Sequence, residues 1–524
     1  VASTNLNGLP YPRVITQIDA YTNVVTLAYS TNVNRVTETR PDGEVVVYEH
    51  YHNSGGPRNL TDPAGKTAEF GQTTNEQLNA ITDRLGDTTT LTYHPLSGLL
   101  ASLVNAQGAT ATWTYVEQEQ AITNPVNGEA VTFAFYKLSR ADYPDGTFEN
   151  YAHDARGNVQ TRTDRAGHTR TNTYNERGQV LTSAQPAGGV TTYTYNPDAT
   201  LATATDSDTG VTAYGYDAYK RLNEITRPDG SSVRMAYDLN DRLTELVDGL
   251  NRTNAYAYDA NGNLVRATDP EGGETLFEYD LMDRLVKVTD RLGREFTRAY
   301  DTLNRLAEIA DATGVNTAFQ YDPRGWLDRV TLAGKTWTTA YDDEGVPTTF
   351  TTPLGRVTAQ TTDKLGFAAA LTDPMGNQTG IGRDAMNRIT SITNQTGQVT
   401  TYNYSPLGLL SGVTLPTGEG VTYTYNSLGL PASIADLSTS LWTFAYTPMG
   451  RLASITDPLS RATQYGYDTR GRLNLATYPD AGTQSIAYDA AGNVTSRVYS
   501  GAAGPNLAFA YDARNRLVAA EGLA

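Results

Sequence analysis

The chain has 524 residues, 39% of them hydrophobic, with a formal net charge of −17 and no cysteine. The missing cysteines exclude disulfides and thiolate metal sites, and an acidic balance without basic runs argues against a general affinity for nucleic acid or anionic membrane. No stretch of about 18 apolar residues is present to cross a bilayer as a helix.

Taken in chain order, the sequence opens on Val1-Ala2-Ser3, without Met or a signal peptide, and reads as processed or excised from something longer. Residues 1–150 carry a blurred repeat. Tyr29 starts "YSTNVNRVTETRPDGE", Gln72 heads a copy in which Leu78 is the seventh residue, and Tyr93 begins another. Near 102–150 the spacing breaks, and "VEQEQAITNPVNGEAVTFAFYKLSRADYPDG" holds one irregular and one shortened repeat. We read it as a local insertion, because no Gly/Ser-rich linker divides the chain there.

Residues 151–524 form a regular array continuous with the first part. With the Tyr of each Tyr-Asp pair as position 0, it falls at Tyr174, Tyr195, Tyr216, Tyr237, Tyr258, Tyr279, Tyr300 and Tyr321, in steps of 21. It continues at Tyr341, after a step of 20, then at Tyr404, Tyr425, Tyr446, Tyr467 and Tyr488, and ends at Tyr511 after a step of 23. His153, Thr362 and Arg383 stand in for it at three places. Position 1 is Asp or Asn in most copies, position 4 is Gly, Asn or Asp, position 5 is often Arg or Asn, and position 6 is usually Leu. The tyrosines are the expected structural anchors of the repeat.

Each part of the period has a physical reading. "TTYTYN" (191–196) and "TNAYAYD" (253–259) alternate with period two, so Tyr193 and Tyr195 share one face of a strand. The Asp-x-x-Gly that follows is a turn, with a carboxylate to accept backbone amides and a Gly for φ > 0. A second strand carries apolar residues at positions 6 and 9, as in Leu285 and Val288. That spacing is not alternation and predicts a bulge or a strand offset. Asp269-Pro270-Glu271-Gly272 supplies a second turn of type I character, repeated at Asp62-Pro63-Ala64-Gly65 and Asp373-Pro374-Met375-Gly376. One period is therefore one β-hairpin, and successive hairpins stack tyrosines and leucines across strands. A parallel solenoid is the rival, and two tight turns per period favour the antiparallel array.

Roughly 23 such repeats give about 45 strands, a sheet of ~200 Å at ~4.8 Å per strand. An open twisted sheet of that length curls or splits, and abundant Tyr, Thr, Asn and Asp suit a wall wetted on both faces. The expected fold is all-β: a long antiparallel hairpin array spiralling into a large hollow shell.

The motifs "YDANGNL" (258–264), "YDTLNRL" (300–306), "YDTRGRL" (467–473) and "YDARNRL" (511–517) resemble the YD repeat of the Rhs/YD-repeat family. That family includes bacterial Rhs polymorphic toxins, the cocoon-forming components of insecticidal toxin complexes, and teneurins. The resemblance implies a spiralling β ribbon around a cavity, holding a toxic C-terminal domain in the bacterial members and forming part of an adhesion receptor in teneurins. The Asp-Pro-x-Gly-Leu ending of the bacterial shells is not found. Its nearest match, Ser405-Pro406-Leu407-Gly408-Leu409, lacks the Asp and sits inside an ordinary repeat. Neither a protease nor a specific cargo is therefore carried over.

Other motifs reduce to the repeat. Gly65-Lys66-Thr67 and Gly334-Lys335-Thr336 look like the end of a phosphate-binding loop, but Leu60 and Arg329 stand where its first Gly belongs. His50 and His52 share a strand face as a metal pair would, yet Tyr48 and Tyr51 beside them point to cross-strand packing. His153 is a repeat substitution and not a base. No Gly-x-Ser-x-Gly elbow appears, and solvated turn carboxylates are not general acids. Residues 341–403 lose the Tyr-Asp signature most heavily and read as drift more than as a binding surface. The expectation is a non-enzymatic, secreted or cell-surface shell without cofactor or metal, with encapsulated polypeptide cargo as its partner. The alternative is a structural or adhesive surface protein that binds glycans or neighbouring cells, or whose copies assemble into fibres.

Overall fold

The computed structural model describes residues 2–5, 14–20, 22–30, 34–51, 54–123, 129–436, 440–501 and 505–522. Those residues form forty-eight β-strands and no helix. The fold is all-β, an antiparallel hairpin array. Strands of five or six residues predominate. Two long ones, Thr110–Thr123 and Ala130–Asp142, lie where the period breaks. Neither carries in its interior the Asp, Asn, Gly or Pro that end most other strands after one half-period.

The expected bulge is present. Leu276 pairs with Thr289, Phe277 with Val288 and Glu278 with Lys287, and the register then slips so that Tyr279 pairs with Leu285. Val286 is the extra residue. Three residues apart, Leu285 and Val288 would point to opposite faces of a regular strand; the inserted residue brings them onto the face of Phe277 and Tyr279. The same slip recurs at Tyr174, Tyr237, Tyr321 and Tyr467.

Both turns of a repeat share one geometry. Gly262 N donates to Asp259 O and Asp259 N to Asn263 O, and Gly272 and Asp269 repeat the pattern with Gly273. The Asp269 carboxylate also accepts from the amides of Glu271 and Gly273, both at 2.9 Å. The fourth residue of each turn is left-handed, with φ 98° at Gly262 and 79° at Gly272. Asn304 (φ 64°) and Asp241 (φ 62°) tolerate this conformation, whereas Ala199 holds φ 73° against its own Cβ. Ala199→Gly is expected to raise stability by about 0.5–1 kcal/mol, because relief of the left-handed strain exceeds the entropy that Gly adds to the unfolded chain. Thermal melting checks this, and a midpoint at or below that of the parent would contradict it.

The chain divides into two compact units. One comprises Val1–Trp113, Tyr143–Asp145 and Thr275–Val399; the other comprises Thr114–Asp142, Gly146–Glu274 and Thr400–Ala524. Within each unit, segments far apart in sequence meet through their turns. In the first, Arg84 bonds Glu344, 260 residues on, Lys66 lies 2.8 Å from Asp343 and Lys364 lies 3.4 Å from Asp87. In the second, Arg252 Nη1 donates to Asp512 O at 3.0 Å, again over 260 residues. Arg451 there lies 2.9 Å from Asp208 and 3.2 Å from Asp206. Among the described residues no large side chain is fully buried, and the buried apolar residues are Val46, Ala68, Ala141 and Ala476. Stability therefore rests on cross-strand pairs and turn contacts more than on a dry core.

Candidate functional site

The tyrosines form a ladder of hydrogen bonds between successive hairpins. Tyr258 Oη donates to Leu243 O at 2.9 Å, from position 0 of one repeat to position 6 of the repeat before. Tyr174, Tyr195 and Tyr237 bond Val159, Val180 and Leu222 in the same way, and Tyr300, Tyr321 and Tyr341 bond Leu285, Leu306 and Leu327. Tyr425, Tyr467 and Tyr488 continue the series onto Leu410, Leu452 and Leu473. Tyr216, Tyr279, Tyr404, Tyr446 and Tyr511 hold the equivalent register, each paired with the position-6 leucine of its own repeat. Tyr93 Oη reaches Leu78 O at 2.5 Å, so the bond extends into the blurred N-terminal copies.

An arginine at position 5 completes the link. Arg242 Nε donates to Asp238 at 2.7 Å, Nη1 donates to Asp259 O at 2.9 Å, and the guanidinium lies 5.0 Å from the centre of the Tyr258 ring. Arg284 over Tyr300, Arg305 over Tyr321 and Arg472 over Tyr488 repeat it at 4.4–4.6 Å. A cation so placed is drawn to the ring face, and the carboxylate behind it fixes its plane. The sequence shows Arg at position 5 but does not by itself give it a role. The available signal was the Asp four residues earlier, across a turn.

The substitutes keep the register. His153 pairs with Val159 as a tyrosine would; burial pushes its imidazole pKa down, and Lys137 adds to the shift. At Arg383 the partners are exchanged. Phe367 holds position 5, and the Arg383 guanidinium at position 0 lies 5.1 Å from its ring. The contact survives with its two halves swapped. Trp326 plays a related part at position 5, 5.5 Å from the Tyr341 ring.

Drift opens a gap in this face. Two residues before position 0, Tyr256, Phe277 and Tyr465 are bulky, but Thr339 and Gln360 are not. Phe350 pairs between Thr339 and Thr358, and Leu371 between Gln360 and Thr379. Without rings beside them, Phe350 and Leu371 are each 42% exposed. They lie in a concavity of about 500 Å³ within the first unit.

Gly65 and Gly334 are left-handed turn residues followed by the strands Thr67–Gln72 and Lys335–Tyr341, not by helices. His50 Nδ1 is buried without a hydrogen-bond partner, and His52 lies outside the described residues. Among the described residues, no group of three or more His, Asp or Glu could hold a metal ion.

Charge pairing makes the turn contacts of the second unit sensitive to acid. Burial tends to raise the Asp229 carboxyl, but hydrogen bonds from Ser231 and the charges of Arg470 and Arg472 outweigh it and hold the pKa below its ordinary value. Asp206 is likewise depressed, with burial outweighed by the Asp208 amide and Arg451. A carboxylate depressed in the folded state contributes stability above its unfolded pKa and loses it as pH falls through the folded one. Thermal stability is therefore expected to hold from neutral pH to about 5 and to fall progressively below about 4. A melting temperature that rises on acidification would contradict this.

Comparison with known proteins places the array. The teneurin YD-shell family model matches residues 141–248 and 338–520, more than half of the chain, and the RHS repeat model matches 258–295 and 300–336. No curated protein matches. Among solved structures, the crystal structure of TcdB2-TccC3-TEV is similar over 97% of this chain and 36% of its own length, at 12% identity and a TM-score of 0.74. The crystal structure of TcdB2-TccC3 gives 97% and 34% coverage, 14% identity and a TM-score of 0.73. A Tc holotoxin pore of Photorhabdus luminescens gives 97% and 36% coverage, 13% identity and a TM-score of 0.73. The chain thus spans about a third of the length of the solved proteins that it resembles. From the family model that covers most of its regular repeats, the chain belongs to the teneurin YD-shell family and is built of RHS repeats.

Proposed function

We propose that this chain is the wall of a non-enzymatic container that surrounds a polypeptide cargo, a toxin or another exported protein, and works outside the cytoplasm. The observation that carries this reading is the fold likeness over 97% of the chain to proteins of a toxin complex. The ladder fits the task. A wall that encloses a cargo must stay closed without a core of its own, and here hairpins are tied to those before them by tyrosine hydroxyls, joined in several repeats by an arginine held on an aspartate, as at Tyr258 with Arg242 and Asp238. We propose the position-0 tyrosines as the anchors of that wall, and residues 1–150 as a less regular stretch of the same array.

Protease protection tests the reading. A reporter polypeptide joined to the C-terminal end of the chain should resist digestion while the wall is intact and become sensitive when acid or denaturant opens it. A reporter digested as fast as the free polypeptide, beside an intact wall, would overturn the container.

A further inference from the structure

We infer that the gap in the tyrosine face of the first unit is a binding site for a neutral sugar. The concavity, about 500 Å³, lies within the range of small-ligand sites. Phe350 and Leu371 give it a half-exposed apolar floor, and a ring face is what the C–H side of a pyranose packs against.

The rest of the lining selects among ligands by charge. Eight of its thirteen lining residues are threonine, glutamine or asparagine, which set hydroxyls and neutral amides among a mainly apolar surface, and no Lys, Arg or His contributes. A phosphate, a nucleic acid or an acidic glycan would find no counter-charge there. Its single carboxylate, Asp373, is already engaged by the Met375 amide and by the amide and side chain of Asn377, at 2.8–2.9 Å, so a cation has little to recruit. Gln360 donates Nε2 to Pro347 O at 2.5 Å, which leaves its carbonyl oxygen as an acceptor, while Gln395 and Thr379 add an amide and a hydroxyl. A ligand with many hydroxyls and one apolar face meets these groups best. An apolar peptide fits less well. The strands Pro347–Thr351, Val357–Thr362, Ala368–Thr372 and Gln378–Arg383 already pair with one another and offer no free edge to an added strand.

The site arises where the repeat loses its rings at Thr339, Gln360 and Thr362, so it belongs to this stretch and not to the repeat in general.

The test is an array of immobilised neutral and acidic oligosaccharides and apolar peptides, probed with the labelled full chain and followed by titration of the retained ligands. The expected result is retention of neutral sugars, weakened about tenfold or more by Phe350→Ala and several-fold by Gln395→Ala. Gln395 is exposed on a turn, so its replacement leaves folding intact, and thermal melting verifies the same for Phe350→Ala. Retention of only acidic glycans, of only apolar peptides, or of nothing would overturn the site. So would neutral-sugar binding that both substitutions leave unchanged.

Discussion

Gly249→Ala is expected to destabilise the second unit by about 3 kcal/mol, the upper end of what one added methyl costs in a tight contact. Gly249 lies on a turn against Ala490, 241 residues further on, in a pass of the ribbon that meets its own through their turns. A Cβ at Gly249 would sit 2.8 Å from the Ala490 carbonyl carbon and closer still to its oxygen. Those atoms are backbone, so no rotamer can relieve the overlap, and one pass must shift against the other. The φ of Gly249 is not left-handed, so the expected loss is steric and not conformational. Gly189→Ala repeats the experiment at a second place, where the new methyl would meet Pro448 O at 2.5 Å. Hydrogen exchange should show lost protection around both 249 and 490. Unchanged protection and an unchanged melting temperature would contradict the close approach.

Tyr258→Ala is the second large effect, about 3 kcal/mol. Part is lost burial of a half-covered ring, part is the carbonyl of Leu243 left without its donor, and part is the Arg242 contact. Tyr258→Phe separates them: it keeps the ring and removes the hydroxyl, and should cost only about 1 kcal/mol. The array is quasi-linear, so either loss should be confined to the hairpins on each side. Equal loss of exchange protection near Tyr425 would count against a ladder of neighbouring links.

Much of this architecture can be read from the chain alone, because its signals are local. A 21-residue return of Tyr-Asp sets the hairpin, Asp-Pro-x-Gly fixes the turn, and the spacing of Leu285 and Val288 betrays the bulge. The arginine link is less visible, since an Asp and Arg four apart suggest a pair on a helix before they suggest a brace across a turn. Contacts such as Arg451 with Asp206, 245 residues apart, are not legible at all, because they depend on where one pass of the ribbon falls against another. The exchange of Phe367 and Arg383 shows a further limit. Scored position by position it reads as loss, although the contact is kept. The concavity at Phe350 needed the register to be seen, since only the pairing shows that Thr339 leaves Phe350, and Gln360 leaves Leu371, without a ring beside it.

One measurement bears most directly on the central claim, a cryo-electron microscopy map of the purified chain with strand direction resolved. The account predicts neighbouring strands that run in opposite directions, a tyrosine at the end of most alternate strands, and a wall one sheet thick around solvent. Rungs that all run one way, or an interior filled with packed side chains, would contradict it.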